Sequence, residues 1–159
     1  MIQKFKVDPW ACMPMLGTVE FFKDASFGKK ADSKTRNGYQ PVMDNPIMWD
    51  QFAGLYNEIK NILDKELDFK WKIHRSWVVS YNKEGWQDTH THHNSIKSIV
   101  LCLLGHGTGT LEFETGDKFN MFQGDMIMFN SDTKHWAHST DLPKTVLSLD
   151  ISKDGEIQK

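Results

Sequence analysis

Beyond residue 70 the chain breaks into short apolar or alternating runs, and this pattern limits its fold more than any other feature. The runs are RSWVVSYN, WQDTHTH, IKSIVLCLL, GTLEFET, KFNMF, DMIMFN, KHWAHS and KTVLSLDI. Turn residues separate several of them: NKEG before the second, GHGTG before the fourth, TGD before the fifth and QGD before the sixth. Glycine, asparagine and aspartate at such points supply the backbone angles that reverse a chain. Short strands at this spacing predict a mainly β domain of the jelly-roll type, with two sheets facing one another across an interior.

The section before residue 70 reads differently. Residues 24–41, DASFGKKADSKTRNGYQP, show no periodicity and predict a long surface loop. Asn45 followed by Pro46 has the form of a helix start, and Met48, Phe52, Leu55, Tyr56, Ile59, Ile62 and Leu63 recur at three-and-four spacing. One helix with an apolar stripe is therefore expected, and a sheet is the surface available to cover it. A chain of 159 residues, 39% hydrophobic and 12% aromatic, is expected to form one domain, residues 1–159, around a single core. With a formal charge of -2 and only Arg36 and Arg75 as arginines, the chain lacks the basic field that nucleic acid requires. No apolar run nears the roughly 20 residues of a membrane span, and MIQKFKVDPW has no signal core, so a cytoplasmic location is expected. Cys12 and Cys102 are too few and too far apart for a disulfide framework or a zinc knuckle.

Three of the seven histidines fall within QDTHTHHNS. On a strand, the two-residue period places Asp88, His90 and His92 on one face and His93 on the other. Two imidazoles at i and i+2 can grip one metal ion, but a third ligand must come from elsewhere. His135, in FNSDTKHWAHS, is the best source, because the apolar strand and polar loop before it can return the chain beside the pair. His138, three residues on, is expected to point away, and His74 and His106 read as structural or surface residues. In KTVLSLDI, Lys144, Val146, Ser148 and Asp150 share one face, while Thr145, Leu147 and Leu149 share the other. If the leucine face packs outward against the helix, Lys144 and Ser148 point into the interior. A buried ammonium there requires an anionic partner, either a protein carboxylate or a ligand. Met126, Met128, Phe129 and Trp136 are candidates for an apolar wall.

These residues resemble a known family. The run SWVVSYNKEGWQDTHTHHNSIKSIVLCLLG, with Trp77, Tyr81, Gly85, His90, His92, Ser95 and Ser98, is similar to the first half of the core of small Fe(II)- and 2-oxoglutarate-dependent oxygenases of the prolyl-hydroxylase-like group, of phage and bacterial type. GDMIMFNSDTKHWAHSTDLPKTVLSLDI resembles the second half, and the likeness spans roughly residues 71–152. It implies a double-stranded β-helix with a flanking helix, and Fe(II) held by His90, His92 and His135. It also implies 2-oxoglutarate on the metal, with the distal carboxylate meeting Lys144 and Tyr81 contributing a hydroxyl. The implied reaction is hydroxylation of a C–H bond with release of succinate and CO₂.

Two departures stand out. Many members use H-x-D or H-x-E, whereas position 92 here is histidine, so Asp88 remains an alternative ligand. The carboxylate clamp is often arginine, and Lys144 offers a point charge instead of a bidentate fork. Two rival readings remain: a cupin-type metal enzyme that does not use 2-oxoglutarate, and a jelly-roll binding or structural module. The cupin reading lacks the usual glutamate after H-x-H, where Ile96 and Lys97 stand. The substrate is left open between a small molecule and a protein side chain, since selection in such folds lies in loops and the N-terminal extension, here residues 8–44.

Overall fold

The computed structural model describes residues 1–24, 28–30 and 35–155. Strand β1 (Gln3–Lys6) leads into helix α1 (Pro9–Asp24), followed by β2 (Gly28–Lys30) and β3 (Thr35–Pro41). Two 3-10 turns, Pro46–Met48 and Asp50–Phe52, precede helix α2 (Ala53–Glu66). The β section comprises β4 (Trp71–His90), β5 (Lys97–Leu104), β6 (Leu111–Phe113), β7 (Lys118–Phe119), β8 (Asp125–Asn130), β9 (His135–Ala137) and β10 (Lys144–Lys153). Every pairing is antiparallel, and the hydrogen-bonded path runs β1-β8-β5-β10-β4-β9-β6-β7 as one curled sheet. Among the described residues, no helix is long and apolar enough to cross a membrane.

Alternation along the strands sorts side chains into two cores. Val78 of β4, Ile99, Leu101 and Leu103 of β5, Met126 and Met128 of β8, and Leu147, Leu149 and Ile151 of β10 face one way. They pack with Leu55, Ile59 and Leu63 of α2 and with Cys12, Met15 and Val19 of α1. Val79 and Tyr81, Val100 and Cys102, Ile127 and Phe129, and Val146 face the interior of the curl. Burial on both faces explains why IVLCLL is apolar without alternation. Burial pushes the thiols of Cys12 and Cys102 up to about 11 and about 12, and neither forms a disulfide.

The N-terminal section departs from expectation in three places. Helix α1 is invisible to a periodicity search because it carries apolar residues on both faces: Cys12, Met15 and Val19 are buried while Trp10, Met13 and Phe21 are exposed. Pro14 and Gly17 further dilute the helical signal. Part of the expected loop is a hairpin instead, with β2 paired to β3 and β3 to β4; residues 25–27 and 31–34 of that stretch lie outside the described residues. Asn45 does not cap the long helix. It adopts a left-handed conformation (φ 44°) before the first 3-10 turn, and its side-chain oxygen accepts a hydrogen bond from Ser76 Oγ at 2.6 Å.

The first two expected β strands are one. In β4, residues 82–85 bulge out of the ladder with β3, where Gly38 faces Tyr81 but Arg36 faces Trp86. The NKEG sequence therefore makes a bulge, not a hairpin turn. Glu84 takes a positive φ of 69°, and a Cβ on Gly85 would stand 2.6 Å from the Asn37 carbonyl oxygen. This long strand joins the two ends of the curl, with its first half bonded to β10 and its last residues to β9.

Candidate metal centre

His90 ends β4 and lies directly opposite His135, the first residue of β9. His92 follows in the loop, fixed by its backbone N–H donating to the Ser131 carbonyl at 2.9 Å. The three imidazoles converge, with one nitrogen from each within 4.8 Å of the others. His92 and His135 are buried, and His90 is half-buried. Ring centroids of His90 and His135 are 4.2 Å apart, and Phe129 backs His135 at 4.6 Å.

Hydrogen bonds fix which nitrogens converge. His90 Nδ1 lies 2.9 Å from the Asp88 carbonyl oxygen, and His135 Nδ1 lies 2.9 Å from the Thr133 carbonyl oxygen. His92 Nδ1 lies 2.7 Å from Asp150 Oδ1. Carbonyls only accept, so Nδ1 must carry the proton in His90 and His135. The Asp150 carboxylate demands the same of His92: burial, the largest single influence, pushes its pKa up, but hydrogen bonds from His92, from Arg75 at 2.6 Å and from Ser98 at 2.8 Å outweigh it and hold the carboxyl below its usual value. In neutral rings Nε2 is then a bare acceptor, and His92 Nε2 and His135 Nε2 face each other at 3.2 Å. Two lone pairs at that separation repel unless a cation lies between them. Burial, reinforced by His90, pushes the His135 pKa down to about 3, so a proton is a poor candidate for that cation and a metal ion a good one.

A bulge turns Asp88, the alternative ligand, away from the three imidazoles. Between Gln87, opposite Ala137, and His90, opposite His135, β4 spends three residues where β9 spends two. The slip throws Asp88 out of phase with His90. Its carboxylate instead meets Arg36 at 2.8 Å on the partly exposed outer side. His138 points outward, lying 3.9 Å from Glu112, and His93 and His106 are exposed.

Next to the histidines is a narrow interior space of about 20 Å³, lined by Tyr81, Gln87, Val100, Leu111, Lys144, Val146 and Ser148, among others. Alternation in β10 thus aims Lys144 and Ser148 inward as the sequence pattern implies. Lys144 is only 3% exposed; its ammonium donates to the Gly109 carbonyl at 2.7 Å and sits 4.7 Å from the centre of the Tyr81 ring. Burial lowers its pKa to about 8, and among the described residues no carboxylate pairs with it. Of the four wall candidates, only Phe129 belongs to the interior core; Met126 and Met128 face the helices, and Trp136 lines a surface groove with Trp86 and His138. A wider opening of about 430 Å³ reaches His90 and His92 from outside, past Gln40, Arg75, Trp77 and Thr91.

Sequence reasoning gave Asp150 no role, though it placed the residue on the inward face of its strand. The carboxylate's partners come from β4, β5 and the loop after β4, so only the assembled fold brings them together.

No protein-family model matches the chain, and no curated protein matches its sequence. Solved structures do resemble it. A viral collagen prolyl hydroxylase from Paramecium bursaria Chlorella virus-1, in complex with 2-oxoglutarate, superposes with a TM-score of 0.70 at 15% identity, covering 94% of each chain. A prolyl-4-hydroxylase from Pseudomonas putida gives a TM-score of 0.75 at 12% identity, over 97% of this chain and 93% of the other. A prolyl hydroxylase from Trichoplax adhaerens, in complex with a hypoxia inducible factor peptide, gives 0.78 at 8% identity, over 96% and 84%. The fold of this chain is therefore the jelly-roll fold of these oxygenases.

Proposed function

We propose that the protein is an Fe(II)- and 2-oxoglutarate-dependent oxygenase that hydroxylates a small molecule or a protein side chain. The convergence of one nitrogen from each of three imidazoles, with an acceptor behind every Nδ1, carries this reading. It is supported by a fold whose viral example binds 2-oxoglutarate. A three-imidazole set suits iron and leaves positions open for co-substrate and oxygen.

His90, His92 and His135 would hold the metal. Lys144 would pair with the distal carboxylate of 2-oxoglutarate, with Tyr81 beside it. When bound, iron and 2-oxoglutarate supply the oxidative chemistry, with succinate and CO₂ as co-products. The protein orients and shields. Val100, Leu111 and Val146 keep the space around Lys144 apolar, which strengthens its attraction for an anion. In a complex with the distal carboxylate, the Lys144 ammonium, which here donates to the Gly109 carbonyl, would take the carboxylate as its acceptor. The exchange replaces a neutral acceptor with a charged one, which favours the bound state. Substrate would approach through the opening beside His90 and His92.

Anaerobic addition of Fe(II) and 2-oxoglutarate tests the proposal. A visible metal-to-ligand charge-transfer band, and succinate formation once oxygen is admitted, are expected. Metal uptake with no band on adding 2-oxoglutarate would instead identify a metal site of another chemistry.

A further inference from the structure

We propose that Asp150 is a positioning residue for the metal, supplying through His92 the negative charge that an H-x-D site supplies directly. The inference rests on the metal-site reading above and concerns how that site is built.

Asp150 is completely buried, and its partners occupy both carboxylate oxygens. Oδ1 accepts from Ser98 Oγ at 2.8 Å and from His92 Nδ1 at 2.7 Å, and Oδ2 accepts from Arg75 Nε at 2.6 Å. The Arg75 guanidinium stacks 5.0 Å from the Trp77 ring centre, and Trp77 in turn lies 5.5 Å from His92. Ser98 is held by Ser131, whose backbone carbonyl anchors the His92 main chain. Both ends of the His92–Asp150 contact are therefore fixed independently of any metal. A register shift in the β10–β4 ladder immediately after Asp150, where Asp150 faces Arg75 but Ile151 faces Ile73, sits at this cluster.

Behind Nδ1, His90 and His135 each have a backbone carbonyl, whereas His92 has the Asp150 carboxylate. An anionic acceptor behind Nδ1–H polarises the ring and makes Nε2 the stronger donor to a cation. Three neutral ligands leave a divalent ion uncompensated in a buried site. The Asp150 charge, one ring away, offsets part of it, while the histidine at position 92 stays a neutral ligand.

Co(II), a redox-stable probe, tests this through its visible d–d absorption in competition with a chelator, with anaerobic Fe(II) as a second probe. Asp150→Asn keeps the size and removes the charge, and metal affinity should fall about 10- to 100-fold while the far-UV circular dichroism is unchanged. In a His92→Asp background, where a carboxylate can ligate directly, the same substitution should change affinity far less, because its effect runs through the imidazole. Equal losses in both backgrounds, or none in the first, overturn the inference while leaving the metal site standing. A wild-type chain that takes up neither ion overturns both. If Asp150→Asn does not fold, the wild-type chain decides: its imidazole ¹⁵N shifts should place a proton on His92 Nδ1, and a proton on Nε2 alone refutes the proposal.

Discussion

Replacing Lys144 with methionine should make the metal-free protein more stable and at the same time remove its affinity for 2-oxoglutarate. The first effect follows from burial. The ammonium is 3% exposed, and its pKa falls from 10.5 to about 8, chiefly because burial disfavours the charged form. At about 1.4 kcal/mol per unit, that difference is on the order of 3 kcal/mol held against folding at pH 7. The sign follows from proton counts. Between about 8 and 10.5 the unfolded chain binds more protons than the folded one, so stability rises with pH in that window, and below about 8 the full penalty is present. Methionine removes the penalty but forfeits the bond to Gly109, worth about 1 kcal/mol. The net gain of about 2 kcal/mol should raise the melting temperature by about 4–8 °C in a chain of this size. The second effect follows from the anion. Losing one partner of a buried charge pair costs about 2–5 kcal/mol, or roughly 30- to 4000-fold in affinity for 2-oxoglutarate. Differential scanning fluorimetry at pH 7 and anaerobic titration of the charge-transfer band measure the two quantities. A variant that melts lower than the parent and binds 2-oxoglutarate within a few-fold of it would refute the assignment of Lys144 as a buried cation awaiting an acid.

Affinity of the unsubstituted protein for 2-oxoglutarate should decline as pH rises through about 8, because the free ammonium loses its proton there; isothermal titration at constant ionic strength measures it, and a flat profile to pH 9.5 contradicts it. His135 has its pKa lowered from 6.5 to about 3 by burial, so from 6.5 downward the unfolded chain binds more protons and metal-free stability should fall with pH, by up to about 1.4 kcal/mol per unit. Urea unfolding between pH 7 and 4 should show a shallower decline for His135→Gln than for the parent. Gly109→Ala should destabilise the fold by about 1 kcal/mol or more and weaken 2-oxoglutarate binding, since Gly109 has φ +69° and a Cβ there would stand 2.9 Å from Lys144 Nζ and 2.8 Å from Thr140 Cβ. Asp88→Ala should leave Co(II) affinity unchanged, because that carboxylate pairs with Arg36; a loss comparable to that of His90→Ala would restore Asp88 as a ligand.

How much of the site was legible depends on whether strand periodicity survived. In β10 it did: Lys144, Val146 and Ser148 face inward and Leu147 and Leu149 outward, as simple alternation requires. Near the end of β4 it failed, because the bulge between Gln87 and His90 shifts the phase and takes Asp88 off the face it would otherwise share with His90. A single extra residue in a ladder leaves no mark that a two-residue period can detect. Periodicity also missed α1, whose apolar residues on both faces have no helical period, and at the expected helix start the chain makes two 3-10 turns, with the Asn45 side chain bonded to Ser76.

The sequence alone determined that the chain is built mainly from short strands, and that Lys144 shares a strand face with Val146 and Ser148. Residue type and local period suffice for that, since both act over a few neighbours. Only the tertiary structure decided which nitrogens meet, that Asp88 leaves and that Asp150 stands behind His92, because hydrogen bonds linking residues 35 to 75 positions apart depend on ladder register, which local sequence does not encode.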